Sequence, residues 1–285
     1  MKDLPEIYHR IERTDECILN AVFKNMWDFE YVPFHAILRK CNLNEKKLEQ
    51  YLKKLSGIGI LENKYTEYLG TSFTFKGLSV FSLKRLVSRN VLSMIGKILG
   101  EGKESVVFNA KDDLDRELVV KFHRVGYPSF KKVKEKRDYG TLHHTVLTVR
   151  SAKREFRALK KLYGYVSVPK PVAWEGNAVV TELINGRELY KVSIENPGEV
   201  FEIVIDEIRK MVSRGIVHGD LSQFNILVNE DGIWIIDFPQ HVDVSDNGAE
   251  EILKRDVKNI LEYFRRSYGL KKDLNEIIEY VRGRA

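Results

Sequence analysis

The spacing of apolar residues divides the chain into a helical N-terminal part and a longer part in which strands and helices mix. Within residues 1–83, apolar positions recur at helical spacing in three segments, and Asn44 stands at the N-cap position of the third. The predicted helices cover residues 7–22, 33–38 and 44–56. Two β-like runs follow, Gly59 to Leu61 and Thr71 to Phe75. Three helices followed by a two-stranded wing are typical of a winged-helix domain.

A change to strand-like patterns marks the second part of the chain. A helix over residues 76–89 leads through a linker into three β-like runs, which are Ile98-Leu99, Ser105 to Ala110 and Glu117 to Phe122. A later strand is predicted over 179–182, and further helices over 151–162, 200–213, 249–268 and 273–281, with Ser151 as the N-cap of the first of these. The mixture predicts an α+β fold.

Charge is concentrated in one segment. The net charge of the chain is +6, yet residues 121–161 contain thirteen Lys or Arg against three acidic residues. The densest run covers residues 131–137 and follows Ser129. It is either a solvated loop or a surface that contacts the phosphate backbone of a nucleic acid, and we expect residues 124–149 to be mobile in the free protein. A second basic surface is the outward stripe of the third helix, Lys46, Lys47, Gln50, Lys53 and Lys54, which either contacts nucleic acid or merely faces solvent.

The composition of the chain indicates the cellular compartment in which it works. The two cysteines, Cys17 and Cys41, are too few for a disulfide framework and lack zinc spacing, so a reducing environment fits. The chain begins with charged residues and has no apolar run of membrane-spanning length, which predicts a cytoplasmic protein with no membrane partner. The scarcity of Gln, three residues in all, hints at a heat-adapted source.

The strongest chemical signal lies between Ile216 and Phe238. It places Asp220, Asn225 and Asp237 at the spacing with which kinase-like enzymes hold a catalytic carboxylate and two metal ligands around a nucleoside triphosphate. A single Asp at a strand end is usually structural. The surrounding His-Gly-Asp-Leu-x-x-x-Asn run makes a catalytic role the better interpretation.

Two upstream features fit the same nucleotide. The turn from Gly100 to Ser105 can bring backbone amides close to phosphate oxygens. Lys121 stands among apolar strand residues, where an ammonium group needs a partner such as phosphate or a helix carboxylate. Glu155, beside the apolar stripe of the 151–162 helix, is the candidate carboxylate, although it could also be a surface residue paired with neighbouring arginines.

Together these motifs resemble the RIO family of atypical protein kinases, in its second, winged-helix-containing branch, and suggest an archaeal member. The resemblance rests on GEGKES at 100–105, Lys121, Glu155, HGDLSQFN at 218–225 and IDFPQ at 236–240. It implies a winged-helix domain (1–83), a linker helix (84–91), and a minimal bilobal kinase-like domain with an N-lobe (92–182) and a C-lobe (183–285). It further implies ATP and Mg²⁺, or Mn²⁺, as cofactors.

The resemblance also implies a role for each site residue. Lys121 would orient the α- and β-phosphates and pair with Glu155, and Asp220 would be the catalytic Asp. Asn225 and Asp237 would bind the metal, and the backbone near Glu182 and Ile184 would hold adenine. The phosphate-loop residues would be Gly100, Gly102, Lys103, Glu104 and Ser105. The implied partners are the small ribosomal subunit precursor and its rRNA, with autophosphorylation, for which Ser129 is a candidate, and an ATPase cycle through a phosphoaspartate at Asp237.

Departures from ordinary kinases leave two rival functions open. Ser222 replaces the usual Lys two residues after the catalytic Asp, and the 48 residues after Asp237 contain no APE-like motif, so we expect little room for a peptide platform. One rival is a small-molecule phosphotransferase, which shares the HGD loop but does not fit DFPQ at 237–240. The other is a nucleic-acid-binding scaffold with an inactive kinase fold, which the intact Lys121 and Asp220 disfavour.

Overall fold

The chain forms two compact units. The computed structural model describes residues 1, 3–65, 67–124 and 143–283. The first unit comprises Met1–Lys153 and Val172–Val180, and the second comprises Arg154–Pro171 and Thr181–Ala285. None of the helices in these described ranges is both long and apolar enough to cross a membrane.

The first unit begins with the predicted winged-helix arrangement. Its elements are α1 (Leu4–Arg10), α2 (Arg13–Asn25), β1 (Val32–Pro33), α3 (Phe34–Cys41), α4 (Glu45–Gly57), β2 (Leu61–Tyr65), β3 (Leu69–Phe73) and α5 (Phe75–Ser88). The three strands form an antiparallel sheet in the order β1-β3-β2. The domain therefore has the helices and the wing that the apolar spacing indicated.

Two details of that prediction are wrong. The expected helix over residues 7–22 is two helices, because Ile11 is extended and Glu12 starts α2 through a capping box with Asp15. The first wing strand is Leu61–Tyr65 rather than 59–61. Five of its residues pair with β3, although their polarity is more typical of a turn. A polar strand can form here because four of the five residues are exposed and the wing needs no apolar face.

Helix α4 confirms its predicted N-cap but not its whole basic stripe. The Asn44 side chain accepts a hydrogen bond of 2.9 Å from the Lys47 amide. Lys46, Lys47, Gln50 and Lys53 are exposed, as expected. Lys54 is different, because its Nζ lies 2.7 Å from Oδ2 of the fully buried Asp15. Although burial opposes it, this hydrogen bond raises the pKa of Lys54. Lys54 therefore joins α4 to α2.

A five-stranded sheet follows in the order β4-β5-β6-β8-β7. Its strands are β4 (Met94–Glu101), β5 (Ser105–Lys111), β6 (Glu117–His123), β7 (Pro171–Glu175) and β8 (Ala178–Glu182), with α6 (His144–Leu162) between β6 and β7. Alternate residues of β5 are buried, which fits the two-residue period of a strand with one face on the core. The three β-like runs and the strand at 179–182 are confirmed, whereas β7 was not predicted.

Helix α6 begins seven residues before Ser151, the start that the sequence predicted. It starts at His144, so Ser151 lies inside the helix and is not an N-cap. The reason is that Val146, Leu147 and Val149 are buried and continue the apolar stripe upstream. The expected mobility of residues 124–149 is therefore wrong for the helical residues 144–149. Residues 125–142, with Ser129 and the basic run 131–137, lie outside the described residues.

A buried polar cluster joins α5 to the five-stranded sheet. Asn177, in the turn between β7 and β8, has no exposed surface, and its Nδ2 donates to Ser79 Oγ (3.1 Å) and to the His123 carbonyl (2.9 Å). Its Oδ1 accepts a 2.9 Å hydrogen bond from Ser82 Oγ. One apolar core runs without a break from Leu4 in α1 to Val180 in β8 around this cluster. The winged-helix residues and the sheet thus share one interior.

The second unit is mainly helical. Its remaining elements are β9 (Arg187–Glu188), α7 (Pro197–Ser213), β10 (Ile216–Val217), β11 (Ile226–Asn229), β12 (Gly232–Ile235), β13 (Val242–Asp243), α8 (Ala249–Tyr268) and α9 (Leu274–Val281). Phe201 of α7 and Phe264 of α8 pack edge to face, with ring centroids 5.4 Å apart. The unit has two small sheets, β12-β11-β9 and β10-β13. The candidate catalytic loop, residues 218–225, connects β10 to β11.

Candidate functional site

The predicted phosphate-binding turn lies in the first unit, between β4 and β5. A Cβ at Gly100 would find no atom within 4 Å, and a Cβ at Gly102 would meet only the Ser105 carbonyl oxygen, at 4.0 Å. Neither glycine has a positive φ. The described structure thus requires glycine at neither position. Glycine here is better explained by a ligand that must approach the backbone closely.

Hydrogen bonds hold this turn in shape. The Gly102 amide donates to the Ser105 carbonyl (2.9 Å), and the Arg124 side chain donates to the Gly102 carbonyl (2.7 Å). The Arg124 amide also donates to the Glu104 carbonyl (2.6 Å). Lys103 and Glu104 are exposed at the tip, and Ser105 begins β5. The turn is therefore fixed by the chain's own contacts.

Lys121 is placed on β6 as predicted. It is half-buried between the fully buried Val120 and Phe122, and it pairs in register with Val107 of the neighbouring strand. His123, two residues further, is held at its carbonyl by the Asn177 side chain. Both the phosphate turn and Lys121 consequently stand on a sheet anchored to the winged-helix core.

Glu155 and the predicted adenine-binding residues belong to the second unit. Glu155 lies on α6 and is only 4% exposed, so the alternative of a surface glutamate is wrong. Glu182 ends β8, where its amide donates to the Lys170 carbonyl (3.0 Å) and its Oε1 accepts from the Lys170 amide (2.7 Å). Ile184 follows two residues later, outside the strand. These two hydrogen bonds to the Lys170 backbone fix the segment that the resemblance assigns to adenine.

The three residues of the central motif are brought together in the second unit by a ring of hydrogen bonds. The Asp220 amide donates to His218 Nδ1 (3.3 Å), and His218 Nε2 lies 3.0 Å from the Ile236 carbonyl. The ring closes through Asn225, whose Nδ2 donates to the Asp220 carbonyl (2.8 Å) and whose own carbonyl accepts from the Ile236 amide (3.0 Å). An Nδ1 that accepts and an Nε2 that donates define the neutral Nε2–H tautomer of His218.

The same ring leaves side-chain oxygens of the kind that a predicted cation site needs. Because the Asn225 Nδ2 is committed to the Asp220 carbonyl, its amide oxygen is the atom left to act as a ligand. Asp237, directly after Ile236, supplies a carboxylate. Amide and carboxylate oxygens suit Mg²⁺, which binds through few protein ligands together with phosphate. No group of three or more His, Cys, Asp or Glu with metal-binding geometry occurs among the described residues.

Backbone geometry at two positions supports a functional assignment. Gly219 has φ +85°, and a Cβ there would lie 2.3 Å from the Gln240 carbonyl oxygen, so only glycine lets the 218–225 loop contact the 237–240 segment. Asp237 has φ +73° without being glycine. Such a conformation costs about 1–3 kcal/mol and tends to persist where function needs the side chain in place.

Helix α8 supports the candidate catalytic loop with side chains that the sequence analysis missed. Asp256 Oδ2 accepts a 2.7 Å hydrogen bond from the Gly219 amide, Arg255 donates to the Gly219 carbonyl, and Asn259 donates to the Leu221 carbonyl (3.2 Å). Burial raises the pKa of Asp256 against the opposing hydrogen bonds. A detectable signal existed, since Asp256 occupies a core position of an amphipathic helix, and a buried carboxylate requires a partner.

Comparison with known protein families places two matches along the chain. Residues 106–277 match the RIO domain, and residues 8–89 match the N-terminal domain of Rio2. The two matches leave only a short stretch between them, residues 90–105, which holds the predicted phosphate-binding turn.

Individual relatives show the same two-domain similarity. The RIO-type serine/threonine-protein kinase Rio2 of Methanocaldococcus jannaschii is 34% identical, over 88% of this chain and 98% of the relative. The Dictyostelium discoideum kinase rio2 is also 34% identical, over 94% of this chain but 53% of the relative. A crystal structure of the Rio2 kinase–ADP/Mg²⁺–phosphoaspartate complex from Chaetomium thermophilum is similar with a TM-score of 0.84 and 26% identity, covering 98% of this chain and 88% of that one.

Proposed function

The chain belongs to the family of RIO-type serine/threonine protein kinases, in the branch with a Rio2 N-terminal domain, and from this premise we propose how its residues carry out phosphoryl transfer. ATP is the phosphate donor, as the ADP in the Chaetomium complex suggests. The observation that carries the proposal is the hydrogen-bonded ring through His218, Asp220, Asn225 and Ile236, which delivers Asp237 in a strained conformation.

Asn225 and Asp237 hold the metal ion, Mg²⁺ or Mn²⁺. An ion held there would supply positive charge that offsets the negative charge of the triphosphate. The Asn225 amide offers its oxygen because its nitrogen is bonded to the Asp220 carbonyl. The positive φ of Asp237 turns its carboxylate away from the path that an extended strand would give it.

The first unit provides the phosphate contacts. The amides of residues 100–105 and the Ser105 hydroxyl contact phosphate, and Lys121 orients the α- and β-phosphates with Glu155 as its counter-ion. Open space around Gly100 and Gly102 supports this, since the fold itself has no use for glycine there. The backbone near Glu182 and Ile184 holds adenine.

Asp220 steers the group that attacks the γ-phosphorus and accepts its proton. Its side chain is exposed while its backbone is held on both sides, at the amide by His218 and at the carbonyl by Asn225. Positioning of this kind lowers the barrier by fixing the proton acceptor before reaction. We propose Ser129 as an autophosphorylation site and Asp237 as the carrier of a phosphoaspartate, the group that the Chaetomium complex contains.

Lys121→Ala is the first test. Loss of a phosphate clamp should lower ATP turnover about 100-fold. The matched control is Lys97→Ala, which removes an exposed lysine from β4 of the same sheet and should leave turnover within about twofold. ATP hydrolysis with and without Mg²⁺, together with far-UV circular dichroism, makes the comparison. Near-full turnover in a folded Lys121→Ala protein would contradict the phosphate-clamp role, and absence of turnover in the wild type would restore the inactive-scaffold alternative.

The winged-helix domain supplies the contact with nucleic acid. Lys46, Lys47 and Lys53 are exposed on one face of α4, and no ion pair joins them to another described residue. We propose that this face and the basic run 131–137 bind rRNA of the small ribosomal subunit precursor, and that the protein works in the cytoplasm. A Rio2 N-terminal domain in front of the kinase domain supports a ribosome-related or nucleic-acid-related role.

Salt dependence tests that contact. Each phosphate contact contributes about 0.7–0.9 to the slope of log affinity against log salt, so changing Lys46, Lys47 and Lys53 to Gln should reduce the slope for an rRNA fragment by about 2. The control changes Lys254, Lys258 and Lys271, exposed lysines of the second unit, and alters net charge equally. The same loss of slope in both triple variants would show a general charge effect. An unchanged slope in the first would leave the α4 lysines as solvated residues.

A further inference from the structure

Cys17 and Cys41 are 24 positions apart in sequence, yet the fold brings them into contact. Cys17 lies on α2 and Cys41 is the last residue of α3, and their Sγ atoms are 2.6 Å apart. A disulfide bond is about 2.04 Å long, so a movement of roughly 0.6 Å separates the thiol pair from a bond. Both side chains are half-buried, so neither is sealed from a small reagent.

We propose that Cys17 and Cys41 are an oxidation site at which an intramolecular disulfide cross-links α2 to the end of α3. The two sulfur atoms already face each other across the helix pair, and neither residue belongs to the machinery proposed for phosphoryl transfer. Disulfides are rare in most intracellular proteins but common in those of heat-adapted organisms, to which the composition points.

The reaction is thiol–disulfide exchange with a small disulfide oxidant. Burial, the contact with Cys17 and its charge raise the pKa of Cys41 to about 12, so Cys41 is protonated at neutral pH. The first attack comes from Cys17, which gives up its proton, forms a mixed disulfide and releases one thiolate from the oxidant. Cys41 then gives up its proton and attacks Cys17 Sγ, which releases the second thiolate. Two protein thiols are oxidised, and one oxidant disulfide is reduced to two thiols.

The position of the bond gives it a structural effect. Cys41 is followed by Asn42, which ends α3 with φ 48°, and by Asn44, which caps α4. A bond at Cys41 therefore fixes the turn that sets the direction of α4 and its exposed lysines. It also closes a loop of about 25 residues, whose restriction in the unfolded chain should raise the thermal midpoint by about 5 °C or more.

Oxidised glutathione is the probe, used on the full chain. After equilibration with oxidised or reduced glutathione, free thiols are blocked with N-ethylmaleimide and the intact mass is measured. The oxidised wild type should take up no maleimide and no glutathione, should be about 2 Da lighter than the reduced chain, and should remain monomeric on a non-reducing gel. Cys41→Ser, which keeps the attacking Cys17, should take up one glutathione instead, and Cys17→Ser should not lose 2 Da on oxidation.

Every other result overturns the proposal. Two glutathione adducts on the wild type would mean that the thiols react independently, full maleimide labelling would mean that they do not oxidise, and a covalent dimer would mean that they pair between chains. The thermal midpoint separates a cross-link from a mere surface adduct, since only the wild type should gain stability under oxidation. The mass measurement on the wild type stands even where a serine variant fails to fold.

Discussion

Replacement of Asp220 by Asn is expected to lower ATP turnover about 10²–10⁴-fold, because an amide cannot accept the proton of the attacking group. The fold should survive. The Asp220 side chain is exposed, and the loop is held by backbone groups that Asn retains, namely the amide bonded to His218 and the carbonyl bonded to Asn225. Steady-state hydrolysis of ATP at saturating Mg²⁺, with far-UV circular dichroism on the same samples, measures both expectations.

Asp231→Asn is the matched control for this change. It removes the same charge from an exposed turn between β11 and β12 of the same unit, where the Asp231 backbone amide, not its side chain, makes the local hydrogen bond. Its turnover should equal that of the wild type. If Asp220→Asn kept comparable turnover, Asp220 would be a structural residue and the proposed mechanism would fail.

Asp237→Asn is expected to abolish the second activity that we propose, formation of an acyl-phosphate. With ATP labelled at the γ-phosphate, the wild type should carry protein-bound label that hydroxylamine releases, because a carboxylate can act as a covalent phosphate carrier. Asn lacks the second oxygen needed to form that bond and weakens the metal site, so both the label and overall turnover should fall by about 10²-fold or more.

The chemistry of the label distinguishes the acceptors. Label that resists hydroxylamine and maps to serine or threonine, Ser129 among them, would contradict the phosphoaspartate and favour ordinary protein phosphorylation. Asp231→Asn again serves as the control, since it should keep the hydroxylamine-sensitive label. Hydroxylamine-sensitive label in Asp237→Asn would move the acyl-phosphate to another carboxylate.

Local signals in the sequence were sufficient to predict structure where a residue's role depends on neighbours within its own helix or strand. The Asn44 cap, the strands β5 and β6 and the helices α7 and α8 are of this kind, since apolar period and end signals are read from neighbouring residues. The order of the motifs was sufficient to identify the family. Asp220, Asn225 and Asp237 could be named as candidate site residues from spacing because the chemistry constrains residue types more tightly than the fold does.

What the sequence did not disclose depends on long-range contacts. The sequence predicts an exposed Lys54 because its partner Asp15 is 39 positions away. Serine is a common helix cap, so Ser151 resembles a helix start although the helix begins at His144. The helix pattern marks Asp256 as buried, but no local pattern identifies its partner, the Gly219 amide, which lies 37 positions away. The contact between Cys17 and Cys41 is hidden for the same reason.

The shared interior around Asn177 bears on how the two family segments can have evolved. Ser79 and Ser82 come from the Rio2 N-terminal match and Asn177 from the RIO match, and all three are fully buried against one another. A gene that lost its first 90 codons would remove both serines from the Asn177 side chain, which would keep its bond to the His123 carbonyl, and would uncover the apolar residues beside it. An exchange of winged-helix segments between lineages would therefore have to carry a compatible β7–β8 turn with it, so these distant stretches of sequence are expected to be inherited together.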